Sequence, residues 1–181
     1  LLDGALKDQN IQTTYPGLWM KRYPTFRTTS IVQRSSWSCH HGVTRWMGEC
    51  GCTPNGVWKA QMRQAFERIA LAVDEIYLRE VSKVVQEPWE LRHRYIHVLL
   101  GQTSLEDLAS DMAGRHLDAE TIYRLDLLLR AQNERQRMFT SCGWFFEDFD
   151  RIEPRNAVAY AAQAVLMTQA ATGIDLTTSA L

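Results

Sequence analysis

The sequence predicts an all-α fold, a bundle of about five helices preceded by an irregular, loop-rich N-terminal arm. Three observations carry this reading. Apolar residues recur at three- and four-residue intervals from Met62 onward, helix start and stop signals punctuate the same region, and a β-branched run is confined to Thr28–Gln33.

The arm, taken as residues 1–34, holds the turn signals Tyr15-Pro16-Gly17 and Tyr23-Pro24, and Thr53-Pro54-Asn55-Gly56 follows further on. Long helices are not expected there, and Thr28–Gln33 (TTSIVQ) reads as a short strand or an extended connector. From Val57 the pattern becomes a long amphipathic helix with Met62, Ala65, Phe66, Ile69, Val73, Ile76, Tyr77 and Val84 on its inward stripe. Glu87-Pro88 interrupts it, because proline is tolerated in a first helical turn, and Trp89–Leu100 forms a second helix closed by Gly101. Ser104 and Asp107 resemble a capping box opening a third helix that ends near Gly114.

Asp118 caps a fourth helix with Ile122, Leu125, Leu128, Leu129, Met138 and Phe139 inward, ended by Cys142-Gly143. Pro154 begins an alanine-rich fifth helix closed by Gly173, and residues 174–181 are expected to fray. The helical domain is thus placed at residues 35–173.

Twenty basic residues against twenty-one acidic ones leave a net charge of -1, so no global field attracts nucleic acid or an anionic membrane. No window is apolar and long enough for a membrane span, and a soluble, cytoplasmic protein is expected. The opening LLDGALKDQN starts without a methionine, as a piece of a larger polypeptide would. No GxSxG, HExxH, P-loop or dinucleotide fingerprint is present. The run Arg130–Arg137 lacks aromatic interleaving and reads as a solvated helix face rather than an RNA contact.

The densest chemistry lies in Ser36–Cys52, SWSCHHGVTRWMGECGC, which packs three cysteines, two histidines, two tryptophans and an arginine into seventeen residues. It is echoed by Thr140–Asp148, TSCGWFFED. Cys39, His41, Cys50, Cys52 and Cys142 are candidate zinc ligands, since thiolate and imidazole suit that ion. The CxC spacing differs from the usual zinc knuckle, and the alternative is that these are reduced cysteines packed as small apolar residues. Trp37, Trp46 and Trp144 sit in loop-like segments beside polar groups, as aromatic rings that stack on sugars do. Trp58 and Trp89 read as core. His40, His41, Glu49, Glu147 and Asp148 are acid/base candidates, but no second positioned group accompanies them, so no catalytic residue is assigned.

The motifs SSWSCHHGVTRWMGECGC, GVWKAQMRQAF, EPWELRHRYI and RMFTSCGWFFEDFDRIEPRNAVAYAAQAV resemble, over Ser35–Gly173, an uncharacterised helical domain. That domain lies C-terminal to the catalytic barrel in a subgroup of glycoside hydrolase family 57-like proteins. The resemblance implies an accessory domain that forms one wall of a glycan-binding cleft, with an upstream barrel carrying the catalytic carboxylates and an α-glucan as ligand. It further implies Trp144 as a substrate-facing aromatic with Cys142 and Asp148 beside it. On this reading Trp37, Trp46 and Trp144 stack on sugar rings while His41, Arg45 and Asp148 hydrogen-bond hydroxyls. The alternative is a non-catalytic structural or interaction module, zinc-stabilised or purely packed.

Overall fold

A computed structural model describes Gly4, Lys7, Asp8, residues 10–25 and residues 27–176. The chain divides into two units, Leu1–Gln33 and Arg34–Leu181. In the first, Pro16 begins a short helix α1 (Pro16–Arg22) instead of a turn, because its fixed φ suits the first helical position. Its Leu18, Trp19 and Met20 are exposed, and Thr28–Gln33 pairs with no other strand among the described residues.

The second unit is all-α. After a four-residue helix α2 (Thr44–Met47) come α3 (Val57–Val81), α4 (Pro88–Leu99), α5 (Leu105–Ala113), α6 (Ala119–Arg137), the one-turn α7 (Cys142–Phe145) and α8 (Ile152–Thr172). Among the described residues no helix is long and apolar enough to cross a membrane. Capping fixes the boundaries as expected. The Ser104 hydroxyl accepts from the Asp107 N–H at 3.0 Å, the Asp118 carboxylate accepts from the Thr121 N–H at 2.8 Å, and Gly101, Gly114 and Gly173 take positive φ where helices stop.

α6 and α8 form the most extensively packed pair among the described helices and run antiparallel. Arg124, near the start of α6, donates to the carbonyl of Ala171 at the end of α8, and Arg137 at the other end of α6 lies 4.0 Å over the Tyr160 ring. Alanines Ala157, Ala161 and Ala164 on the buried face of α8 permit this close approach. α3 packs across both, burying Met62, Phe66, Ile69, Val73, Ile76 and Tyr77. This stripe is the expected one, except that Ala65 and Val84 are only partly buried.

Three expectations are corrected. Cys142-Gly143 does not end α6, which stops at Arg137; it opens α7, where Gly143 lies against Ala157. The run Arg130–Arg137 is not a solvated face, because Ala131, Gln132 and Glu134 are buried. There Gln132 and Arg135 both donate to Asp74 of α3, Arg135 through two bonds of 3.1 and 2.7 Å. The stretch after Gly173 does not fray at once, since Leu176 is buried in the core; residues 177–181 lie outside the described residues.

Candidate metal centre

Residues 35–56 contain only the four residues of α2 as regular structure, so this segment has no core of its own. Short-range turns shape it. Ser38 N–H donates to the Ser36 hydroxyl, Gly42 N–H to the Cys39 carbonyl, and Thr53 N–H to the Cys50 carbonyl at 2.9 Å. Gly42 has φ of 70°, and a Cβ there would meet the Arg34 carbonyl oxygen at 2.5 Å, so only glycine fits the bend after His41.

These turns bring Cys39, His41, Cys50 and Cys52 together, with all four donor atoms within 4.8 Å of one another. The His41 Nδ1 atom faces the sulfurs, at 3.7 Å from Cys39, 3.4 Å from Cys50 and 3.2 Å from Cys52. Cys39 Sγ lies 3.6 Å from Cys50 Sγ and 3.8 Å from Cys52 Sγ. A tetrahedral zinc with bonds of about 2.3 Å to sulfur and about 2.0 Å to nitrogen implies S···S edges of about 3.8 Å and S···N edges of about 3.5 Å. These five separations match those edges to within a few tenths of an ångström, and the Cys50 and Cys52 sulfurs lie within 4.8 Å of each other.

Cys39 and Cys50 are buried, Cys52 is half-buried, and all are free thiols. The Cys52 backbone N–H holds the Cys50 thiol below its usual range, helped by Cys39, Cys52 and Arg45 and opposed by burial. Burial pushes the Cys52 thiol up, as do the neighbouring Cys39 and Cys50. A divalent ion set among the three sulfurs would supply the positive charge that lets all three ionise. Cys142, the fifth candidate ligand, does not belong to the cluster; it sits exposed at the start of α7.

The two cysteine- and tryptophan-rich segments do meet in space. Trp46 donates its indole N–H to the Ser141 carbonyl at 2.9 Å, Arg45 reaches the Phe145 carbonyl at 3.4 Å and lies 5.1 Å over its ring, and Trp58 donates to the Glu147 carbonyl at 3.1 Å. They do not join as one sugar-stacking surface. Trp144 is 1% exposed, its indole N–H donates to the Lys59 carbonyl at 3.2 Å, and its faces are covered by Phe139 and Phe66. It is a core residue, placed there because α7 packs on α8 and directs Trp144 onto Lys59 and Phe66 of α3. Trp46 is half-buried with its N–H already used, and His41 turns Nδ1 to the sulfurs. Trp37 alone of the three tryptophans is open, at 94% exposure, with its ring 6.4 Å from Phe145. Arg45 and Asp148 line one small cavity of about 290 Å³, together with Thr53, Phe145, Phe146, Glu147 and Arg151. Trp58 and Trp89, expected in the core, are half-buried at its margin.

Sequence reasoning passed over Lys59. It occupies the first turn of α3, is fully buried, and extends its ammonium to the Thr53 hydroxyl at 3.5 Å. A lysine two residues after a helix start carries no burial signal of its own; the signal lies in its neighbours, Trp58 and the CxC turn.

Neither the curated proteins nor the solved structures contain a match to this chain. Residues 55–181 match a family described as a domain of unknown function, DUF3536, so the four clustered ligands lie just before the matched segment. With that match covering α3 through α8, the chain belongs to the DUF3536 family.

Proposed function

We propose that this chain is a zinc-stabilised helical module with a structural role, in which Cys39, His41, Cys50 and Cys52 hold one zinc ion. The observation that carries the proposal is the tetrahedral set of donor separations formed by those four residues. Four protein ligands leave no open coordination position, which suits a structural rather than a catalytic ion. The ion supplies a cross-link where residues 35–56 have no hydrophobic core, and so fixes Arg45 and Trp46 against α7. The test is metal analysis of the full chain after dialysis in reducing buffer, beside Cys50→Ser and Cys52→Ser. One zinc per chain, lost in both variants, is expected; a metal-free chain whose unfolding is unmoved by added zinc would overturn the proposal.

A second reading, the accessory domain of a family 57-like glycan-active enzyme, is favoured by one feature. Arg45 and Asp148 share a cavity walled by Phe145, and the open Trp37 ring stands beside Phe145, so hydrogen-bonding groups and an aromatic face adjoin. In this form Trp37, and not Trp144, is the sugar-stacking ring. Titration with maltooligosaccharides tests it: binding weakened by Trp37→Ala and by Asp148→Asn is expected, and binding indifferent to both would count against it.

A further inference from the structure

We infer that Lys59 and Arg45 are the fixed counter-charges of the metal centre, positioning residues that set its affinity for zinc and its three-thiolate ligand set. The inference rests on the proposal that the cluster binds zinc. Its starting point is charge arithmetic. Zinc at +2, three thiolates at -3 and a neutral imidazole sum to -1. A net anion built from two buried cysteines requires a cation that is itself shielded from water.

Lys59 is such a cation and Arg45 a half-buried second one; the Lys59 ammonium lies 5.7 Å from the Trp58 ring centroid, and Arg45 donates to the Phe145 carbonyl and lies over its ring. Lys59 is 0% exposed, and among the described residues its ammonium has one hydrogen bond, the long one to Thr53, whose hydroxyl in turn donates to the Cys50 carbonyl at 3.2 Å. Arg45 buries an Nε atom that has no partner. Among the described residues no carboxylate pairs with either side chain. Glu147 lies in electrostatic range of Lys59, but it is exposed and forms no ion pair with it. Lys59 and Arg45 also repel each other, so holding the buried ammonium near the half-buried guanidinium is unfavourable without an anion close to both. Both lie in electrostatic range of Cys50, one of the buried thiols of the cluster. The zinc-thiolate group is the anion that this arrangement lacks.

The consequence is reciprocal. The cations offset the net negative charge of the loaded centre, and metal binding offsets the penalty of burying Lys59. The experiment is zinc affinity of the full chain by chelator competition, with a cobalt absorption spectrum to report the ligand set and Tm measured with and without zinc. Lys59→Met should weaken zinc binding about tenfold to a hundredfold, the range for residues that support metal ligands, and Lys59→Arg should restore most of it. Because Met carries no charge to leave unpaired, Lys59→Met should also shrink the gain in Tm on adding zinc, which a purely packing role would leave unchanged. Arg45→Gln should weaken binding in the same direction, and it decides the matter if Lys59→Met does not fold. Wild-type affinity and an undiminished Tm gain in the folded variants would overturn the inference while leaving the zinc proposal standing. A wild-type chain that takes up no zinc would fail the earlier proposal instead.

Discussion

Replacing Trp144 by alanine separates a core role from a surface one. The indole is sealed by Phe139, stacked with ring centroids 6.2 Å apart, and by Phe66, edge-on at 5.6 Å, while its N–H satisfies the Lys59 carbonyl. Truncating a buried tryptophan costs about 3–5 kcal/mol in lost transfer free energy and cavity. The Lys59 carbonyl then loses its side-chain donor, which adds about 1 kcal/mol. A loss of about 4–6 kcal/mol is a large share of the roughly 5–15 kcal/mol that stabilises a domain. At about 2–4 °C per kcal/mol, Tm should fall by about 10–20 °C. Urea and thermal unfolding of zinc-loaded protein, followed by far-UV circular dichroism, measure this. Trp144→Phe should fall between, since it keeps an aromatic ring and loses the hydrogen bond. A Tm within about 2 °C of wild type for Trp144→Ala would refute the packing argument and return Trp144 to the surface role its sequence context suggested.

Two further outcomes follow from the helix packing. Tyr77 is fully buried, donates to the Pro88 carbonyl at 2.7 Å, and is pushed well above the usual phenol range by burial, with Arg92 acting the other way. The unfolded chain therefore releases this proton first, so stability is intact below about pH 10 and is lost as pH rises beyond it. Tyr77→Phe should cost about 1 kcal/mol at neutral pH by removing that buried hydrogen bond, and should flatten the alkaline loss in a pH series of urea midpoints. A Cβ at Gly143 would stand 3.1 Å from the Ala157 Cβ, which is fixed to a helix backbone and has no rotamer to yield. Gly143→Ala should destabilise by about 1–3 kcal/mol in the same urea assay, and a stabilised variant would show that α7 can shift away from α8.

The helical body was legible in the sequence because local chemistry and burial agree there. Ser104 and Asp118 cap where their side chains predict, the glycines after α4, α5 and α8 adopt positive φ, and the stripe of α3 is the buried one. The segment from Thr140 was misjudged for a physical reason. Glycine after an exposed cysteine reads as a helix stop, yet here the missing side chain lets α7 approach Ala157 and carries Trp144 inward. The polar run Arg130–Arg137 misled similarly, because a half-buried Asp74 on α3, far off in sequence, supplies partners for Gln132 and Arg135. The four clustered residues were all in the candidate set, but their spacing could not exclude Cys142. Only the turns at Gly42 and Cys50–Thr53 decide which sulfurs face His41.

The first turn of α3 explains why two segments a hundred residues apart come together at all. Trp58 binds the Glu147 carbonyl, the Lys59 carbonyl binds Trp144, and the Lys59 ammonium points back to Thr53 beside the CxC turn. One residue thus offers its backbone to the core and its charge to the metal loop. A helix with its own core can rest on hydrophobic burial, but residues 35–56 have only α2 and a few half-buried rings to contribute. For so short a segment, a metal cross-link of four side chains fixes more backbone than the available apolar area could. On the proposed zinc centre the burial of Lys59 has a physical cause, because a charge that would oppose folding in a metal-free loop becomes a stabilising partner of a bound zinc-thiolate group.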